Sequence, residues 1–106
     1  MGETMSMKKT YLKTKPICKV RFAVPKEAHK SGKKVYLVGE FNNWNASATP
    51  MTKQKDGTFA VTLDLQTGRE YQFRYLIDGT NWENDKHADK YVLTIYGDSE
   101  NSVVVV

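Results

Sequence analysis

The sequence predicts an all-β fold, an antiparallel sandwich of immunoglobulin type, on three observations. Short segments alternate apolar and polar residues at the period of a strand, turn dipeptides separate them, and no stretch of ten or more residues carries helical periodicity. With 106 residues, 40% of them hydrophobic, the chain is sized for one compact domain.

Ile17 to Val24 opens the series: Cys18, Val20, Phe22 and Val24 alternate with Lys19, Arg21 and Ala23. Pro16 and Pro25 bracket the strand because proline supplies no ladder donor, and residues 26–33 read as a loop. Val35 to Gly39 forms a second strand whose nearly unbroken apolar run predicts burial on both faces or packing beneath a neighbouring loop. Asp56-Gly57 is a turn signal, after which Phe59, Val61 and Leu63 alternate with Thr58, Ala60, Thr62 and Asp64 as a third strand. Thr67-Gly68 turns the chain, and Tyr71, Phe73, Tyr75 and Ile77 follow at period two opposite Gln72, Arg74 and Asp78. This fourth strand is expected to pair with the third as a hairpin. Asp78-Gly79 closes it, residues 80–90 read as irregular, residues 91–95 as a strand and Gly97-Asp98 as a turn. The last run, Ser102 to Val106, is β-branched and adhesive if left unpaired, so it is expected to be covered or paired inside a sheet, and its truncation to destabilise the fold.

Charge is uneven. Up to Lys34 there are ten basic against two acidic residues, and from Val35 onward six against ten. Residues 1–15 read as a basic, flexible arm and residues 16–106 as the folded domain. Such an arm could touch phosphate backbones, but the lysines come in pairs and the aromatic rings lie mostly in the acidic part, whereas single-strand binders interleave rings with cations. A solvated surface is the reading adopted. The longest apolar runs are about four residues, far short of a membrane span, and residues 1–20 lack the apolar core of a secretory signal; the chain is expected in the cytoplasm. Cys18 has no disulfide partner within the chain, and His29 and His87 form no zinc-ligand spacing, so no metal or cofactor is expected.

The chemistry lies in two loops. Phe41-Asn42-Asn43-Trp44-Asn45 sets an indole among amides, and Asp78-Gly79-Thr80-Asn81-Trp82-Glu83-Asn84-Asp85 does so again. A single loop tryptophan commonly plugs the core. Two in the same polar company fit a ligand with an apolar face and a rim of hydroxyls, as a pyranose has, since an amide both donates and accepts as a hydroxyl does.

Residues 35–44, Pro50-Met51, Gly57-Thr58-Phe59, residues 71–79, Trp82 and residues 100–103 together resemble the family 48 carbohydrate-binding module, the early-set domain of isoamylases and glycogen branching enzymes. The chain is similar also to the glycogen-binding domain of the AMP-activated protein kinase beta subunit. The resemblance implies non-catalytic binding of α-1,4-linked glucan: glycogen, starch or maltooligosaccharide. It implies that Trp44 and Trp82 stack on sugar, that Arg74 stands where the kinase domain carries a hydrogen-bonding lysine, that Asn101 contacts hydroxyls, and that Tyr96 presents an apolar surface to the glucan. Arginine for lysine keeps the charge and changes reach and geometry.

No enzyme activity is expected. A glycosidase needs two carboxylates about 5–10 Å apart in a cleft. Glu83 and Asp85 flank Trp82 on a fold too small to desolvate them, Asp78 reads as a turn former, His29 and His87 as solvated, and no nucleophile has a motif around it. The reading is a free-standing glucan-binding module of a bacterial glycogen system, with a glycogen-metabolising enzyme or another protein as a further partner. The alternative from a different class is a protein-interaction or regulatory module on the same fold.

Overall fold

A computed structural model of the chain describes residues 6–30, 32–94 and 99–106. It contains β1 (Ser6–Tyr11), β2 (Ile17–Val24), a single helical turn α1 (Lys26–His29), β3 (Val35–Gly39), a 3-10 turn (Glu40–Asn42), β4 (Thr52–Lys53), β5 (Phe59–Gln66), β6 (Glu70–Ile77), β7 (Asn81–Glu83), β8 (Lys90–Leu93) and β9 (Glu100–Val105). Two antiparallel sheets result, in orders β1-β2-β5-β4 and β3-β6-β9-β8, with β7 added to β6. The immunoglobulin-like sandwich is therefore present.

Alternation explains which face each strand buries. Cys18, Val20, Phe22 and Val24 of β2 meet Phe73, Tyr75 and Ile77 of β6 and Val104 of β9 in one core. Phe22 and Phe73 sit edge to face, their ring centroids 5.1 Å apart, with Phe41 and Tyr75 extending the aromatic stack. β3 is buried on both faces but for half-buried Tyr36, the first of the two readings its apolar run allowed. The terminal valines lie inside the second sheet, β9 pairing with both β6 and β8.

Three expectations are corrected. β5 and β6 do not form a hairpin: β5 pairs with β2 and β4, β6 with β3, β7 and β9. The turn at Thr67-Gly68 crosses between sheets, pinned by Thr67 N–H to Pro16 O, Gly68 N–H to Val106 O and Val106 N–H to Arg69 O. Two amphipathic strands can bury their apolar sides equally well edge to edge or face to face, and alternation does not distinguish these. Second, residues 6–11 of the expected arm are a strand that covers the open edge of β2, and Lys9 Nζ reaches Asp89 Oδ2, just before β8, at 2.7 Å. Third, the expected loop at 26–33 begins with α1, and His29 is buried rather than solvated, 5% exposed, accepting from Gly32 N–H through Nδ1 and therefore donating through Nε2 to Gly57 O at 2.7 Å. β4 and β7 are short strands within segments with no periodic signal, β8 starts one residue earlier than expected and β9 two. Ile95 and the Gly97-Asp98 turn lie outside the described residues.

Gly39, the last residue of β3, is extended, yet a Cβ there would stand 2.5 Å from Gln72 O and 2.8 Å from Phe73 Cβ. Backbone cannot yield to that contact as a flexible side chain would. Gly39→Ala is expected to lower stability by about 1–3 kcal/mol, read as a drop in urea midpoint at unchanged slope; an unchanged midpoint would refute the close approach.

Asp78 adopts the left-handed region (φ 52), and its Oδ1 accepts from the N–H of Lys33 at 2.8 Å and Lys34 at 3.0 Å. The backbone N–H groups, Lys34's first, hold its carboxyl below the ordinary value of 3.8. A depressed acid stabilises the fold above its unfolded value and loses that contribution as pH falls through its folded value. The stability advantage of the natural chain over Asp78→Asn should therefore be full above about pH 4 and shrink below it. Urea midpoints between pH 2 and 6 check this, and a constant difference would count against it.

Candidate functional site

Trp44 owes its position to backbone geometry. After Gly39 the chain turns through the 3-10 segment and then places Asn43 (φ 56) and Trp44 (φ 57) in the left-handed region, a conformation bulky side chains rarely hold. Asn42 fixes the loop: its Oδ1 accepts from Gly39 N–H, its Nδ2 donates to Leu37 O and Thr49 Oγ1, and Trp44 N–H closes onto Gly39 O at 2.8 Å. Asn45 is likewise engaged within its own turn, accepting from Ser47 N–H and Oγ. Two of the amides that sequence alone placed around the indole as ligand contacts, those of Asn42 and Asn45, thus hold the loop instead.

Trp82 lies on β7 opposite Leu76. One edge of β6 is shared: β9 pairs with residues 70–73 and β7 with residues 75–77. Arg74 falls at the junction. Because Phe73 and Tyr75 point into the core, Gln72 and Arg74 point outward, and a polar floor forms there. Arg74 Nε donates to Asn101 Oδ1 at 2.7 Å, Arg74 Nη2 to Ser99 Oγ at 3.0 Å, and Asn101 Nδ2 to Gln72 Oε1 at 3.0 Å.

Trp44, Trp82, Arg74 and Asn101 line one open cleft of about 570 Å³ with Gln72, Leu93, Thr94 and Ser99. The two indoles are 40% and 46% exposed, so neither is a plug over the core. Arg74 is the one charged side chain among the described residues of the lining, and its guanidinium is already hydrogen-bonded to neutral partners. Such a surface, two exposed rings above a floor of amides and hydroxyls, suits a neutral polyol better than an anion. Tyr96 lies outside the described residues.

Sequence reasoning missed Gln72, Leu93, Thr94 and Ser99. Gln72 was legible, since it shares the outward face with Arg74; Leu93, 67% exposed at the end of β8, carried no such signal.

Residues 26–106 match the family described as the glycogen recognition site of AMP-activated protein kinase. The chain belongs to this family. The match takes in every residue lining the cleft and begins after β2. Among curated relatives, the chain is 46% identical over 54 residues to 5'-AMP-activated protein kinase subunit beta-1 of Sus scrofa, covering 51% of this chain and 40% of that protein. It is 39% identical over 75 residues to the Bos taurus beta-1 subunit, covering 71% and 25% respectively. It is also 40% identical over 55 residues to the 1,4-alpha-glucan branching enzyme GlgB of Aquifex aeolicus, covering 49% and 8%. The chain thus matches well under half the length of each. The family 48 resemblance read from the loops and strand motifs stands.

Within this glycogen-recognition module the two carboxylates near Trp82 take different positions. Glu83 is exposed. Asp85 is fully buried, against the expectation that the fold could not desolvate it: it accepts from Tyr75 Oη at 2.8 Å and from His87 N–H, while its own N–H donates to Ser102 Oγ. Burial is the main cause that raises its carboxyl above the ordinary range, and burial followed by the Asp85 charge pushes the Tyr75 phenol well up. Asp85 is a structural acceptor sealed beneath the loop rather than a group presented to a ligand.

Proposed function

We propose that this domain binds α-1,4-linked glucan non-catalytically in the cleft between Trp44 and Trp82, the rings stacking on pyranose faces and Asn101, Gln72 and Arg74 meeting hydroxyls. The observation that carries the reading is the convergence of two half-exposed indoles, one from the loop after β3 and one from β7, on one hydrogen-bonded floor of Gln72, Arg74 and Asn101. The family supports the ligand class, and the branching-enzyme relative, by its name, acts on 1,4-alpha-glucan. Covering ~60–80 Å² of each ring contributes about 1.5–2 kcal/mol. A few sugar hydrogen bonds add roughly 0.5–1.5 kcal/mol each, against an association cost of at least about 4 kcal/mol. The balance corresponds to a Kd of roughly tens of micromolar to millimolar for one short oligosaccharide, lowered in effect by repeated sites on a polymer.

The domain is read as a binding module whose partner beyond glucan is another polypeptide, in keeping with relatives that are kinase subunits. A cytoplasmic setting fits Cys18, a free thiol packed in the core. Titration with maltoheptaose and β-cyclodextrin, following the two indole N–H resonances, tests the site. Saturable movement of both, absent with a cellooligosaccharide, is the expected result. If neither moves at several millimolar sugar, glucan binding falls and the protein-interaction reading replaces it.

A further inference from the structure

A second concavity shares no residue with the tryptophan cleft. It measures about 430 Å³ and is lined by Lys26, His29, Gly32 and Lys33 from the β2–β3 connection and by Lys53, Lys55, Asp56 and Gly57 from the β4–β5 hairpin. Four lysines thus face one aspartate. That carboxylate is turned onto its own hairpin, Asp56 Oδ1 accepting from Thr58 N–H at 2.9 Å, and nearby Asp78 is occupied by the N–H groups of Lys33 and Lys34. Among the described residues, none of the four cleft ammoniums stands in an ion pair of the kind Lys9, Lys19 and Lys90 make.

The arrangement is built rather than incidental. The imidazole of His29, buried, clamps the hairpin to the helical turn through Gly57 O and to Gly32 N–H on its other nitrogen. Gly57 has φ +89, and the aliphatic stem of Lys26 lies where its Cβ would project, at 3.2–3.4 Å. The contact that joins the two lysine-bearing segments also packs one lysine stem, so the ammonium cluster is held together at little further entropic cost.

We infer that this basic cleft binds the phosphate group of a small ligand. Its volume falls at the lower end of small-molecule sites, and lysine ammoniums suit the distributed charge of phosphate. The cleft lacks stacking rings among its described lining beyond the buried imidazole, which separates it from a single-stranded nucleic-acid groove.

The test is an amide-shift titration of the whole chain with inorganic phosphate, pyrophosphate and a hexose monophosphate at low salt. Saturable shifts confined to Gly32, Gly57 and Thr58, with both indole resonances still, are expected. Lys53→Gln/Lys55→Gln should weaken binding about tenfold, and Lys53→Arg/Lys55→Arg should retain it. Tighter binding of the hexose phosphate than of inorganic phosphate would assign the phosphate to a sugar ester, and the reverse to a free anion. Shifts spread evenly to Lys13, Lys15 and Lys86, no shift at all, or tighter binding of a single-stranded oligonucleotide than of pyrophosphate would overturn the inference. None of these outcomes depends on glucan binding at the other cleft.

Discussion

Trp82→Ala is expected to weaken binding of maltoheptaose by about 10- to 30-fold, the equivalent of losing ~1.5–2 kcal/mol of ring contact. Trp44→Ala should do the same, and the double variant should abolish measurable binding to the oligosaccharide. Both rings are exposed, at 40% and 46%, so the thermal midpoint should hardly move. Isothermal titration alongside thermal unfolding separates the two quantities. Variants that bind as the natural chain does would remove the rings from the contact surface, whereas variants that lose midpoint and affinity together would show that the indoles support the fold. Trp44 is the more revealing position. Its left-handed backbone costs about 1–3 kcal/mol and is held by three side-chain hydrogen bonds of Asn42, an arrangement that orients a ring left outside the core.

The largest stability effect is expected at the buried Tyr75–Asp85 pair. Asp85→Ala removes the acceptor of the Tyr75 hydroxyl and of His87 N–H, and orphaning buried donors costs about 1–3 kcal/mol each. A loss of roughly 2–4 kcal/mol is expected from equilibrium urea unfolding. Tyr75→Phe/Asp85→Ala should lose less than the two single variants summed, by roughly 0.5–3 kcal/mol, because each single change leaves the other partner unsatisfied. Strict additivity would refute the coupling. The pH dependence runs opposite to that of Asp78. A carboxyl raised by burial takes up its proton more readily in the folded state, so its contribution grows more favourable as pH falls from neutral toward 3.8, and Asp85→Asn removes that gain.

What could be read without coordinates followed from local rules. Period-two alternation placed β2, β5 and β6 and chose the faces of Phe22, Phe73 and Tyr75 correctly, because a strand's side chains alternate whatever it pairs with. Asp78-Gly79 marked its turn because both residues stand at positive φ. The tryptophan loops stood out because large rings among amides fit no core pattern, and Trp44, Trp82, Arg74 and Asn101 do meet in one cleft.

Pairing was not legible. Nothing in Phe59–Gln66 or Glu70–Ile77 states that the turn between them crosses the sandwich, since hydrogen-bond partners are chosen by long-range ladders that alternation does not encode. The same limit hid β1: lysines at the edge of a sheet look like a solvated arm until the strand they cover is in place. Burial of His29 and Asp85 was likewise a tertiary outcome, because a polar side chain enters a core only where distant groups meet its hydrogen bonds, here Gly57 O for the imidazole and Tyr75 Oη for the carboxylate. The sequence by itself determined which side chains of the alternating strands face inward and marked the two tryptophan segments as fitting no core pattern. The tertiary structure decided which strands are neighbours, and with them the polar floor of one cleft and the lysine cluster of the other, because each joins side chains from segments far apart in the chain.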